Sequence, residues 1–115
     1  MTNAITQRPW RTIALVGALA LALVACGSAE PVELADGETI TVGDNFFEAE
    51  HAVVDAGSTV EWDWEGNQPH NVVGDTFESE VYTGQGQFTH TFDDAGTYEY
   101  TCTLHHGMDG AIEVR

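Results

Sequence analysis

From Glu38 to the C-terminus, apolar and polar positions alternate in short runs with a period of two. In "ETITV", Ile40 and Val42 fall on one side and Thr39 and Thr41 on the other; "TVEWDWE" repeats the pattern with Val60, Trp62 and Trp64 against Glu61, Asp63 and Glu65. "QFTHTF" sets Phe88, His90 and Phe92 on one face, "TYEYTC" sets Tyr98, Tyr100 and Cys102 on another, and "AIEV" closes the chain with Ile112 and Val114 inward. This is the period of a half-buried strand, because successive side chains leave a pleated backbone on opposite faces. Breaks at "VGDN", "DAGS", "EGNQP", "TGQGQ", "DDAG" and "HHGMDG" are rich in Gly, Asn and Asp, which tolerate turn backbone. No helical period lasts for 10 residues. The pattern predicts an all-β fold, a Greek-key sandwich or barrel of many short strands.

The first quarter of the chain has a different character. Arg8 and Arg11 precede the apolar run Ile13 to Ala25, whose 13 residues fall short of the roughly 20 that a membrane-spanning helix needs. The run has the shape of a secretory signal. Its ending, "LVAC", resembles the lipobox of bacterial lipoproteins, in which Cys26 is acylated and becomes the first residue of the mature chain; an ordinary secretion signal is the alternative. The expected organisation is a lipoprotein signal peptide over 1–25, an acidic tether over 26–37 and one domain over 38–115. That domain would be held by lipid on the outer, extracytoplasmic face of the cytoplasmic membrane.

Losing the signal alters both the cysteine count and the charge. With Cys26 acylated, Cys102 has no partner, and a lone thiol in an oxidising compartment calls for burial or ligation. From Cys26 onward one arginine, Arg115, stands against 19 carboxylates, a formal charge of −18. Such a field repels nucleic acid and anionic lipid and steers basic partners. Solubility in high salt accounts for the same composition.

The chemistry sits near the C-terminus, where "CTLHHGMDG" spaces Cys102, His105 and Met108 at intervals of three. Strand parity turns Cys102 inward with Tyr98 and Tyr100, and a tight loop can bring the next two side chains to the same point. His70, in "NQPHNVV", is the candidate fourth member, brought to the loop only by the folded sheet. Two imidazoles, a thiolate and a weak thioether are the donor set of a blue-copper centre; His106 offers another usable spacing from Cys102. A lone thiolate with a thioether is a poor set for zinc. His90 reads as a satisfied or partly buried histidine and His51 as a loop or edge residue open to ion pairing. Trp62 and Trp64 read as core, and Asp93 and Asp94 as solvated surface.

The stretch from about Glu38 to Val114 resembles the cupredoxins of the plastocyanin, amicyanin and halocyanin group. "PHNVV", "FTHTFDDAGTYEYTC" and "CTLHHGMDGAIEV" are the matching pieces, and the gap between His105 and Met108 is similar to the short amicyanin-type loop. The resemblance implies one type 1 copper ion, held by His70, Cys102 and His105 with Met108 axial. It also implies that Asn71 and Thr103 tie the two ligand-bearing segments together and that His105, rather than His106, is the ligand. Leu104 departs from the family, where proline is common.

The implied function is one-electron transfer between extracytoplasmic redox proteins, without catalysis and by a monomer. A copper carrier or delivery protein would use the same residues; a metal-free binding module would leave the ligand spacing unexplained. A multicopper oxidase is disfavoured because the sequence lacks a His-x-His pair. Charge complementarity suggests a basic cytochrome or a membrane oxidase as partner. If the acidic field steers that partner, the rate of electron transfer to it falls as ionic strength rises; a stopped-flow series with a flat salt response would remove the steering argument.

Overall fold

Eleven short strands and no helix make up the described residues, 30–115, of the computed structural model. In chain order they are β1 (Val32–Glu33), β2 (Thr39–Gly43), β3 (Phe46–Phe47), β4 (His51–Val54), β5 (Ser58–Trp64) and β6 (Pro69–His70). There follow β7 (Val73–Gly74), β8 (Tyr82–Thr83), β9 (Gly86–Phe92), β10 (Gly96–Thr101) and β11 (Asp109–Val114). The expected signal segment 1–25 and Cys26 lie outside the described residues.

Alternation translates directly into burial. Along β5, Ser58, Val60, Trp62 and Trp64 are buried while Thr59, Glu61 and Asp63 are partly exposed. β2 buries Ile40 and Val42, and β11 buries Gly110, Ile112 and Val114. One sheet runs in the order β1, β4, β11, β10, β7 and the second in the order β3, β2, β5, β9, while β6 and β8 pair separately. β2 and β5 lie parallel, with Ile40 opposite Trp62, and the chain between them visits β4 in the other sheet. The result is a sandwich, as the alternation predicted, whose inner faces share one core.

Trp62 is the centre of that core. Its ring meets Phe77, Phe88, Phe92 and Tyr100 at centroid distances of 5.4 to 6.4 Å. Fully burying a large apolar side chain contributes about 1.5–3 kcal/mol through the surface removed from water, and Phe88 alone of these rings is only partly buried. His90 lies stacked on Phe77 at 4.9 Å and is partly buried, in keeping with its alternation between Phe88 and Phe92. His51 opens β4, paired with Ala111, and its Nε2 lies 3.8 Å from Glu113.

Strand pairing begins at Val32, ahead of the boundary expected at Glu38. β1 pairs in parallel with β4, the Leu34 N–H donates to the Val53 carbonyl at 2.9 Å, and Asp36 accepts the Thr59 N–H at 2.8 Å. Arg115 adds an ion pair with Glu33 at 3.1 Å. A two-residue strand with both side chains exposed has no alternation to display, so the acidic composition of this stretch reads as tether.

Among the described residues, two buried side-chain polar atoms lack hydrogen-bond partners, the Tyr100 hydroxyl and the Trp62 indole N–H. Burial pushes the Tyr100 phenol well above its ordinary value, the Trp62 indole offsets this only in part, and the charge of Glu50 adds to it. Above about pH 10 the unfolded chain therefore loses a proton that the folded one keeps, and stability falls as pH rises. Tyr100→Phe removes the unpaired hydroxyl and its titration together and leaves the Trp62 N–H as it is. We expect it to raise the unfolding free energy at neutral pH by about 1 kcal/mol and to weaken its alkaline decline; urea titrations at pH 7 and pH 11 check this, and a destabilised variant would contradict it.

Candidate metal centre

His70 and Cys102 are 32 residues apart, and the sheet brings them together at its edge. β7 pairs antiparallel with the end of β10, Val73 opposite Thr101 and Gly74 opposite Tyr100. The residues just before β7 thereby lie beside those just after β10. Asn71 closes the junction: the Thr103 N–H donates to its Oδ1 and its Nδ2–H donates to Thr103 Oγ1, both at 2.9 Å. The His70 carbonyl accepts the Trp64 indole N–H at 3.0 Å, which fixes the same segment to the core.

The loop after Cys102 is closed by its own backbone. The Cys102 N–H donates to the Met108 carbonyl at 2.9 Å, and the Met108 N–H donates to that of His105 at 3.4 Å. Gly107 has φ +78°, a left-handed conformation that suits glycine, and it reverses the chain between His105 and Met108.

Three donor atoms converge here. The Cys102 Sγ lies 3.8 Å from His70 Nδ1 and 3.7 Å from His105 Nδ1, and all three atoms fall within 4.8 Å of one another. Bonds of about 2.3 Å to sulfur and about 2.0 Å to nitrogen, opened to about 120°, would set sulfur and nitrogen about 3.7 Å apart. The donor set thus has the spacing that one small ion requires. Cys102, His70 and Met108 are buried, His105 is partly exposed, and the adjacent Leu104 is 48% exposed. His106 is exposed and outside the cluster.

Each imidazole also has an outer partner that the sequence did not reveal. His70 Nε2 lies 2.9 Å from Asp44 Oδ1, and His105 Nε2 lies 2.9 Å from Gln68 Oε1. Asp44 Oδ1 further accepts the backbone N–H groups of Asn67 and Gln68, each at 3.0 Å. The hydrogen bond from His70, followed by those from Gln68 and Asn67, lowers the Asp44 carboxyl from 3.8 to about 2. In the sequence, Asp44 and Gln68 stand in the breaks "VGDN" and "EGNQP", where Asp and Gln read as turn and surface residues. No spacing marks them, because their partners are set by the approach of two turns.

Comparison with known proteins agrees with this geometry. The family described as copper binding proteins, plastocyanin/azurin family, matches residues 36–115. Halocyanin of Natronomonas pharaonis is 42% identical over 83 residues, 63% of this chain but only 51% of its own length, so the match spans about half of that relative. Amicyanin of Paracoccus versutus is 34% identical over 113 residues, 89% of this chain and 86% of its own. Among solved structures, an oxidised amicyanin variant superposes with a TM-score of 0.63 at 26% identity, covering 67% of this chain and 80% of that one. A purple cupredoxin from Nitrosopumilus maritimus shares the fold, with a TM-score of 0.65 at 23% identity over 70% of this chain and all of that one.

Proposed function

The chain belongs to the plastocyanin/azurin family of copper-binding proteins, and from that premise we propose that it is a lipid-anchored carrier of single electrons between extracytoplasmic redox proteins. His70, Cys102 and His105 would hold the copper and Met108 would supply the weak axial contact. The observation that carries the reading is the convergence of one thiol and two imidazoles within 4.8 Å at the end of a rigid sandwich. Copper bound there would supply a reversible Cu(I)/Cu(II) couple.

The chain's own residues account for the rest. Soft sulfur donors suit the reduced ion and imidazoles accept both states, so the donor set serves both without rearrangement. The Asn71 to Thr103 hydrogen bonds and the closed loop hold the donors in place, and burial of Cys102 keeps the thiol from adventitious oxidation. Of the four proposed ligands only His105 reaches solvent, beside exposed Leu104. A partner docked on that face comes closest to the site. Arg115, the sole Lys or Arg from Cys26 onward, already lies against Glu33 and Asp55. Among the described residues the surface therefore offers a partner carboxylates with no free Lys or Arg, which fits a basic cytochrome or a basic face of a membrane oxidase.

The test is to add Cu(II) to the chain and record visible and EPR spectra. We expect an intense thiolate-to-copper band that Cys102→Ala and His105→Ala abolish, that His106→Ala leaves intact, and that Met108→Ala retains with a shifted potential. A colourless product would sink the reading, and rapid surrender of copper to a mild chelator would favour a copper carrier instead. The anchor is tested separately, since the likeness of "LVAC" to a lipobox makes Cys26 the proposed acylation site. Cys26→Ser should move the protein from the membrane pellet to the soluble fraction, whereas an unchanged distribution would exclude lipidation there.

A further inference from the structure

Asp44 and Gln68 lie outside the proposed donor set, yet each faces the ring nitrogen that the set leaves unused. His70 presents Nδ1 to Cys102 Sγ at 3.8 Å and Nε2 to Asp44 Oδ1 at 2.9 Å. His105 repeats the arrangement, with Nδ1 at 3.7 Å from the same sulfur and Nε2 at 2.9 Å from Gln68 Oε1. An ionised carboxylate and an amide oxygen only accept hydrogen bonds, so each partner draws the ring proton to Nε2 and leaves the Nδ1 lone pair aimed at the centre.

The two partners form one unit. The Gln68 N–H donates to Asp44 Oδ1 at 3.0 Å, and the Asn67 N–H reaches the same oxygen at 3.0 Å. The turn between β2 and β3 thus holds the segment that carries Gln68 and leads into His70. The two acceptors differ in charge, and the charged one serves the fully buried ring while the neutral one serves the ring that reaches solvent. A carboxylate hydrogen-bonded to an imidazole makes that ring a stronger donor and adds negative charge near the site, and both effects favour the more positive oxidation state of a bound ion.

Resting on the copper reading above, we propose that Asp44 and Gln68 are positioning residues that lock both imidazoles as Nε2–H tautomers, with the Asp44 charge biasing the bound copper toward Cu(II). Asp44→Asn is the discriminating change. It removes the charge but keeps an oxygen that the Asn67 and Gln68 N–H groups hold in position for His70.

The experiment uses the chain, Asp44→Asn and Gln68→Leu, with two measurements on each. In the metal-free proteins, long-range 1H–15N NMR of the histidine rings reads the tautomers. His70 and His105 should both carry their proton on Nε2 in the parent, and Gln68→Leu should turn His105 alone into a mixture. In the copper-loaded proteins, Asp44→Asn should keep the visible band while its preference for Cu(II) over Cu(I) falls about tenfold, a rise in potential of about 59 mV. An Nδ1–H tautomer at His70 in the metal-free parent, a His105 ring indifferent to Gln68→Leu, or an unchanged potential in Asp44→Asn would overturn the proposal. If the parent gave no copper band, the copper reading would fail while the metal-free tautomers still decided the role of Asp44 and Gln68. Should Asp44→Asn not fold, the parent tautomers and Gln68→Leu decide it.

Discussion

The pairing of β7 with the end of β10 is the constraint on which the rest of the site depends. Two residues of ladder, Val73 with Thr101 and Gly74 with Tyr100, set the register that carries His70 to Cys102. So short a pairing is weak on its own, and side chains reinforce it. Asn71 satisfies the Thr103 N–H and hydroxyl at once, and the Trp64 indole holds the His70 carbonyl from the core side. Leaving a buried member of this set unpaired costs about 1–3 kcal/mol, which favours closing the junction as a whole.

That junction explains how polar donors survive at the end of an apolar core. Phe47 and Phe77 pack against Tyr100, two residues before Cys102, and His70 and Cys102 are almost wholly removed from water. A buried imidazole is tolerated when both nitrogens have partners, and His70 has one on each side. Asp44 supplies the outer one from a hairpin turn whose own position is fixed by the Gly43 to Phe46 pairing. The same carboxylate anchors the backbone of Asn67 and Gln68, so one turn orders the whole approach to the first histidine.

The surface follows a separate logic. With Arg115 engaged by Glu33 and Asp55, the domain shows solvent an almost wholly negative face, interrupted near the site by Leu104 and the edge of His105. An apolar spot beside the donor set, within an acidic field, would let long-range attraction orient the basic partner proposed above while close contact remains desolvated.

How far all this was legible in the sequence varies with the kind of interaction. The strands around Trp62, Tyr100 and Ile112 could be read because burial on one face imposes a period of two. The inward turn of Cys102 follows from the same parity, and the spacing of His105 and Met108 is local to one loop. His70 could be offered as a donor but not placed, and Asn71 could be named only through likeness to known proteins, because nothing in the intervening residues encodes the β7 to β10 register. β1 was illegible because two exposed residues have no pattern. Asp44 and Gln68 were illegible because their roles arise where two turns of ordinary composition meet. The sequence by itself determined what is periodic or local: the sandwich, the core and the donor-rich loop. Only the tertiary structure decided which atoms face which, since a hydrogen bond between distant segments depends on their separation in space and leaves no periodic mark along the chain.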